Sequence, residues 1–429
     1  MAGSPEAVLA FLGELGKRLK PVSEAEHREL EALKAAEEGG EAGIEPWDVL
    51  YYTHKARLRE DLDAAPDLRP YLPLPAVTEG LRRLSAALFG LELRKEALAP
   101  GERWDGAAGA AAPGLKRLGL FEDGRHVASI YMDLLPRPDK YPHSAHFTIR
   151  CGCAVDPLED DGEYQVPSVA LVFNFGGAQP GAAPPASDAE VLLHHGEAET
   201  LFHEFGHALQ SALSRTRYQH LSGTRVPVDF VETPSHLFEY FVWDGRVLDA
   251  FAAHKDSGAP IPPATLAKMR RGRRQFAGVD TQKQVLYALL DQHLFGARAA
   301  AALDAAGQEG GADNLDLLGI SAETSAELTG SPGPDGDAWF AHFGHFTGYG
   351  AGYYGYLYAR VFAAQIWGDL FAADPWDGEA GGRLWRDMLA KGNARDAHLI
   401  LRDLLGREPA LDCFLDELKQ EPAKAAQEP

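Results

Sequence analysis

Two histidines and a glutamate carry the clearest chemical pattern in the chain. His203, Glu204 and His207 lie in the segment ETLFHEFGHALQSAL, whose apolar residues recur at helical spacing. Side chains four residues apart project from one face of a helix, so both imidazoles can reach one zinc ion. A carboxylate beside the metal that does not bind it can take a proton from the attacking water and pass it to the leaving amine. This pattern is typical of zinc metallopeptidases, with Glu204 as general base.

A hydrolytic zinc site needs a third protein ligand and one open position. Glu232 lies 25 residues after His207 and two residues before Pro234. Because proline is tolerated in a helix only in its first turn, Glu232 is predicted to lie at the start of a second helix. The apolar face of this second helix would pack on the helix that carries the two histidines. We therefore predict one Zn²⁺ per chain, bound by His203, His207 and Glu232. Asp229 is predicted either to orient a ligating histidine or to cap the second helix.

The elements around this site follow from periodicity and turn residues. Apolar residues at helical spacing predict helices over 8–19, 30–36, 49–62 and 77–89. The runs HVASIYMDLL, HFTIRCGCAV and SVALVFNF are rich in β-branched and aromatic residues and predict a small sheet. Helical spacing returns at residue 187 and continues to about residue 415. The predicted fold is therefore mainly α, with a small β-sheet before the helix that carries the two histidines.

Charge and cysteine content limit the partners and the compartment. The 429 residues include 41 Lys and Arg against 63 Asp and Glu, a formal charge of −22 that repels phosphate backbones and anionic lipid headgroups. We therefore expect neither nucleic acid nor a membrane as a partner. Three cysteines cannot form a disulfide framework for this length, which indicates a reducing compartment, and Cys151 and Cys153 are interpreted as thiols on one strand. No targeting segment is visible in the sequence.

The segment TLFHEFGHALQSALSRTRYQHLSGTRVPVDFVETPSHLFEYF resembles the active-site region of the thimet oligopeptidase family of zinc endopeptidases, most closely its mitochondrial intermediate peptidase branch. The stretches PWDVLYY, MDLLPRPDKYPHSAHFTIRCG and FGHFTGYGAGYYGYLYARVF extend the resemblance from about residue 7 to residue 412. It implies a zincin-like helical metallopeptidase domain with the ligands and base given above. It also implies that His345 and Tyr353 are catalytic, as donors to an oxyanion, and that Tyr349 and Tyr356 bind substrate.

The resemblance also implies a domain organisation. Residues 1–43 are expected to be a helical remnant of an N-terminal domain, and residues 44–429 the catalytic domain. That domain is expected to be helical over 44–98, to form the sheet over 115–176 and to carry catalytic helices over 187–415. Family members are usually longer than this chain, so we expect that one wall of the substrate channel is missing. The sequence would then be either an incomplete gene product or a short form of the enzyme. Without this wall, we expect the enzyme to select its substrates only weakly by size.

The expected substrates are oligopeptides or unfolded precursor proteins, in the mitochondrial matrix by resemblance, with plastid or cytosol as alternatives. A general oligopeptidase that clears peptides would use the same residues. A third hypothesis is a catalytically silent fragment that holds zinc and captures peptides.

Overall fold

The computed structural model describes residues 1–40, 43–59, 67–99, 101–104, 114–158, 162–177, 185–306, 316–331 and 333–419. The chain divides into two compact units. The first unit comprises Met1, Pro66–Leu266 and Phe362–Ala410, and the second comprises Ala2–Ala65, Ala267–Val361 and Leu411–Pro429. Residues 1–43, which the sequence analysis set apart, thus lie almost entirely in the second unit with residues 267–361. No helix of the described residues has the length and apolarity needed to cross a bilayer.

Helices dominate both units. In chain order they are α1 (Pro5–Glu38), α2 (Pro46–Arg59), α3 (Leu74–Phe89), α4 (His195–Leu213), α5 (Val228–Val231), α6 (Thr233–Trp243), α7 (Gly245–Leu248), α8 (Pro263–Arg274), α9 (Ala277–Phe295), α10 (Ala297–Ala306), α11 (Leu317–Thr329), α12 (His345–Gly348), α13 (Tyr354–Ile366), α14 (Gly378–Asp387), α15 (Ala397–Leu405) and α16 (Asp412–Lys419). The mainly α fold class is confirmed.

The first unit contains a five-stranded sheet. Its strands are β1 (Leu91–Glu96), β2 (Leu115–Glu122), β3 (Arg125–Asp133), β4 (Ala145–Arg150) and β7 (Ser168–Val172), while β5 (Cys153–Ala154) and β6 (Tyr164–Gln165) form a separate pair. The order across the sheet is β1-β2-β3-β7-β4, with β3 and β7 parallel and the other neighbours antiparallel. The runs HVASIYMDLL and SVALVFNF appear as β3 and β7, whereas HFTIRCGCAV divides into β4 and β5. Cys151 lies between these two strands, so the interpretation of Cys151 and Cys153 as thiols on one strand was wrong. None of the three cysteines is in a disulfide.

Strand β1 corrects the prediction of a helical stretch over 44–98. Helix α3 ends at Gly90, whose φ of +65° is a left-handed conformation that glycine adopts without steric cost and that closes many helices. The next residues alternate between buried and exposed positions, with Leu91 and Leu93 facing the core. This period of two is the pattern of a strand, so the sequence held the signal that the longer helical pattern obscured.

Helix α4 lies between the sheet and helix α6. It packs on β3, β4 and β7 on one side and on α6 on another. From Leu201 to Leu213 every side chain except His203 is buried. At its start the Glu197 carboxylate accepts a hydrogen bond from the backbone nitrogen of His194 at 2.8 Å, which satisfies a donor that the first turn would leave unpaired. A helix buried on several sides holds its polar residues in fixed positions.

In the second unit, α1 is one continuous helix of 34 residues, although the sequence analysis predicted separate helices over 8–19 and 30–36. Its far half packs on α2 and on the start of α9 through a cluster of buried side chains: Leu30, Leu33, Tyr52, Ala56 and Phe276. The Glu26 carboxylate accepts hydrogen bonds from the backbone nitrogens of Gly278 at 3.3 Å and Val279 at 2.8 Å, in the first turn of α9. This contact joins parts of the sequence 252 residues apart.

Candidate metal centre

The two histidines of the motif lie one turn apart on α4, as their spacing predicts. Their ring centroids are 5.1 Å apart, in an edge-to-face arrangement. The Nε2 atoms of His203 and His207 lie 3.3 Å and 3.1 Å from the same atom, Oε2 of Glu232. The structure therefore brings together the three side chains that the sequence analysis proposed as ligands.

Glu232 lies where α5 ends and α6 begins, two residues before Pro234 in the first turn of α6, as predicted. Gly206 permits this approach: a Cβ atom there would lie 2.7 Å from the carbonyl oxygen of Pro234 and 2.8 Å from Cα of Ser235. Those are backbone atoms that cannot move aside. The Ser235 hydroxyl donates to the Glu232 side chain at 2.9 Å and thereby fixes the carboxylate.

These distances suit a tetrahedral metal. Ligand atoms about 2.0–2.1 Å from a tetrahedral zinc lie about 3.3 Å from one another, close to the two separations between Glu232 and the histidines. Two imidazoles and one carboxylate form a ligand set that zinc accepts, with a fourth position left for water. The donor chemistry and the spacing both fit zinc.

A second histidine–glutamate group adjoins the first. Oε1 of Glu239 lies 2.7 Å from Nδ1 of His203 and 2.9 Å from Nδ1 of His236. These separations are hydrogen bonds and are too short for two ligands around one metal. Glu239 therefore orients His203 through the ring nitrogen opposite the one that faces Glu232, an arrangement that fixes the tautomer of a metal ligand.

The histidines around Glu232 and Glu239 favour the ionised form of both carboxylates. Burial opposes ionisation of Glu232 and Glu239, but the neighbouring histidines outweigh burial and lower the pKa of both carboxyls. Burial alone would lower the pKa of His203, but its hydrogen bonds to Glu232 and Glu239 raise it to about 10. A metal-free site therefore holds a proton on His203, which metal binding must displace.

Glu204, the predicted general base, is buried on α4, with 8% of its surface exposed. Burial raises the pKa of its carboxyl. The backbone at His146, on edge strand β4, partly offsets this rise. The His146 ring lies 6.0 Å from the ring of His207, and burial lowers the pKa of His146 to about 3, so this imidazole is neutral.

Asp229 lies within α5. The residues at the N-terminal cap positions are Pro227 for α5 and Glu232 for α6. The interpretation of Asp229 as a helix cap was therefore wrong. The Asp229 carboxylate lies 3.0 Å from the amino group of Met1. The hydrogen bond to His203, a proposed ligand, comes from Glu239.

The histidine and tyrosines implied by the resemblance lie in the second unit and cluster there. His345 packs edge-on against Tyr353 and Tyr356, with centroids 5.4 Å and 6.0 Å apart, and Tyr349 stacks on Tyr356 at 5.7 Å. The Tyr353 hydroxyl donates to Oε1 of Gln284 at 2.7 Å, and burial raises the pKa of this phenol to about 12. Their catalytic and substrate-binding roles stay predictions.

A family model described as peptidase family M3 matches residues 1–420. The chain belongs to peptidase family M3. Two curated relatives of this M3 chain are mitochondrial intermediate peptidases. That of Arabidopsis thaliana is 39% identical over 432 residues, which cover 98% of this chain and 57% of the relative. That of Mus musculus is 35% identical over 421 residues, covering 97% and 55%. The chain thus spans little more than half the length of these relatives.

Three residues beside the centre of this M3 chain were missed by the sequence analysis. Glu239 and His236 had a usable signal, because they follow Glu232 by seven and four residues and so share its face of the helix. His146 had none, since it reaches the site only through the pairing of β4 with β7.

Proposed function

We propose that this chain is a zinc metalloendopeptidase that hydrolyses peptide bonds, with Glu204 as general base. The observation that carries the proposal is the convergence of His203, His207 and Glu232 at ligand separations, with the Glu204 carboxylate on the same helix. A zinc ion held there would supply Lewis acidity, which lowers the pKa of water to about 7 and polarises a carbonyl group.

The chain's own residues have separable tasks. Glu204 takes a proton from the attacking water onto its carboxylate and delivers that proton to the nitrogen of the departing amine. Glu239 holds His203 in the tautomer whose Nε2 is free for a metal.

We further propose, from the resemblance, that His345 and Tyr353 donate hydrogen bonds to the developing oxyanion and that Tyr349 and Tyr356 contact the substrate. The clustering of these four side chains within the second unit supports a shared role. The substrates proposed are oligopeptides or unfolded organellar precursors, and the names of the curated relatives favour the mitochondrial matrix over plastid or cytosol.

The decisive test uses Glu204→Gln, which removes the base and leaves the three ligands. A quenched fluorescent peptide is incubated with the purified chain, with the chain after chelation, and with the chelated chain after zinc is restored. We expect cleavage that chelation abolishes and zinc restores, and a loss of several orders of magnitude in Glu204→Gln at unchanged zinc content. A wild-type chain that binds zinc and peptide but cleaves nothing would instead support the silent peptide-binding fragment.

A further inference from the structure

His236 is a polar residue beside the metal centre that the proposed chemistry does not use. It lies on α6, three residues before Glu239, and its Nδ1 atom lies 2.9 Å from Oε1 of that carboxylate. The same oxygen accepts the hydrogen bond from Nδ1 of His203 at 2.7 Å. One carboxylate oxygen thus joins a ligating histidine to a histidine that does not bind the metal.

Glu239 depends on these two contacts for its position. Among the described residues, its other carboxylate oxygen makes no hydrogen bond, and both histidine contacts use Oε1. A glutamate side chain has rotatable bonds whose freedom is lost when it is fixed. Of the two contacts, only the one from His236 does not involve a proposed metal ligand.

The shared oxygen links His236 to metal affinity. A carboxylate that accepts the second N–H of a ligating histidine fixes the orientation of that ring, and its loss typically lowers metal affinity about 10–100-fold. A group that fixes the carboxylate contributes part of this effect. We propose that His236 is a positioning residue of the metal centre, which holds Glu239 so that His203 presents Nε2 to zinc; this inference rests on the proposed zinc site.

The proposal is tested on zinc affinity. The full chain is stripped of metal, and its zinc Kd is measured at fixed pH by competition with a chromophoric chelator. We expect His236→Leu to raise the Kd about tenfold, since the carboxylate loses its second anchor, and Glu239→Gln to raise it about 10–100-fold. Thermal unfolding of each metal-free variant reports separately on any general loss of stability.

Conservative variants test the hydrogen bond itself. The side-chain nitrogen of Asn occupies nearly the position of Nδ1 in histidine, so His236→Asn should restore the Kd to within about threefold of wild type. His236→Gln carries its nitrogen one bond farther out and should not. If Asn fails to rescue the affinity while folding normally, the imidazole acts by packing against His203 at 5.4 Å, and the proposal is wrong.

A double variant tests whether His236 acts through Glu239. Once Glu239→Gln has removed the carboxylate, adding His236→Leu should change the Kd little, because contacting residues in one network give non-additive effects. Additive losses would overturn the proposal. The visible spectrum of the cobalt(II)-loaded chain provides a second readout: its bands should shift in His236→Leu and return in His236→Asn.

His195→Leu is the matched control. His195 lies on α4, and its Nε2 atom is 3.1 Å from the carbonyl oxygen of Val242 rather than near Glu239. Its substitution should leave the Kd and the cobalt spectrum unchanged, and an equal loss in both leucine variants would overturn the specific role of His236. A wild-type chain that binds no zinc would instead contradict the proposed function.

Discussion

The imidazole of His203 lies between two carboxylates, with Nδ1 2.7 Å from Oε1 of Glu239 and Nε2 3.3 Å from Oε2 of Glu232. The two ring nitrogens therefore have different tasks. A hydrogen bond at Nδ1 leaves the lone pair of Nε2 for a metal, so the tautomer needed for binding is set by the protein. His207 has no hydrogen-bond partner at its own buried Nδ1 among the described residues, which makes His203 the better-oriented of the two histidines.

Glu232→Ala should abolish zinc binding while the fold persists, because it removes one of the three proposed ligands. Elemental analysis after dialysis is expected to give about one zinc per wild-type chain and far less for the variant. Glu204→Gln, which leaves the ligands untouched, should retain its zinc. Full zinc content in Glu232→Ala would remove this residue from the ligand set.

Gly206→Ala should loosen the contact between α4 and α6. Its Cβ atom would lie 2.7 Å from the carbonyl oxygen of Pro234, so α6 must shift and carry Glu232 with it. We expect a loss of about 1–3 kcal/mol in the free energy of unfolding together with weaker zinc binding. Gly196→Ala, on the same helix with no atom within 4 Å of the added Cβ, should be neutral or stabilising. Equal effects of the two substitutions would contradict the packing argument.

Tyr353→Phe should lower kcat by about 10²-fold with little change in KM, because the proposed hydrogen bond from this phenol to the oxyanion would act mainly in the transition state. Losing the hydrogen bond to Gln284 should also cost about 1 kcal/mol of stability. Tyr287→Phe is the control, since that ring lies 5.9 Å from Tyr353 in the same aromatic cluster. A Tyr353→Phe protein that is less stable but has normal activity per folded molecule would assign the tyrosine to packing.

Glu26→Gln should make the stability of the chain less dependent on pH. Burial raises the pKa of Glu26 to about 7, so the folded chain binds this proton more tightly than the unfolded chain does. The resulting stabilisation is complete below about pH 4 and is lost as the pH rises through about 7. Because the side chain is partly exposed, we expect Glu26→Gln to be more stable than wild type by about 1–3 kcal/mol at pH 8.

Urea unfolding of both proteins between pH 5 and pH 8 measures this difference. Glu24→Gln, at an exposed position two residues earlier on α1, is the control and should follow the wild-type curve. Parallel curves for wild type and Glu26→Gln would show that the proton on Glu26 does not contribute to stability.

Site residues that lie close to the histidine motif in the sequence could be predicted, and a residue far from it could not. His203 and His207 were predictable because four residues on a helix fix their geometry, and Glu232 because the proline after it places it at a helix start. Glu239 was equally accessible, two turns after Glu232, but no rule of ligand spacing called for it. His146 comes from a strand that precedes the motif helix by some fifty residues, and no local pattern predicts which strand pairs at the sheet edge.

In the fold, too, local sequence patterns predicted some elements and missed others. The helical spacing of α3 and the β-branched and aromatic residues of β3 predicted those two elements. Strand β1 was instead included in a helical prediction, because its charged residues suit either structure. The continuity of α1 through Pro21 also opposed local propensity, since proline favours a break. In α1 the packing of distant segments overrode this local preference.

The pairing of Arg18 with Asp412 at 2.6 Å has a consequence for synthesis on the ribosome. The ion pair connects α1 with α16 across 394 residues, so the second unit cannot complete this contact until nearly the whole described chain has emerged. The three proposed zinc ligands, by contrast, span only residues 203–232 and leave the ribosome within seconds of one another at about 5–20 residues per second. The proposed ligands can therefore come together before α1 makes its contact with α16.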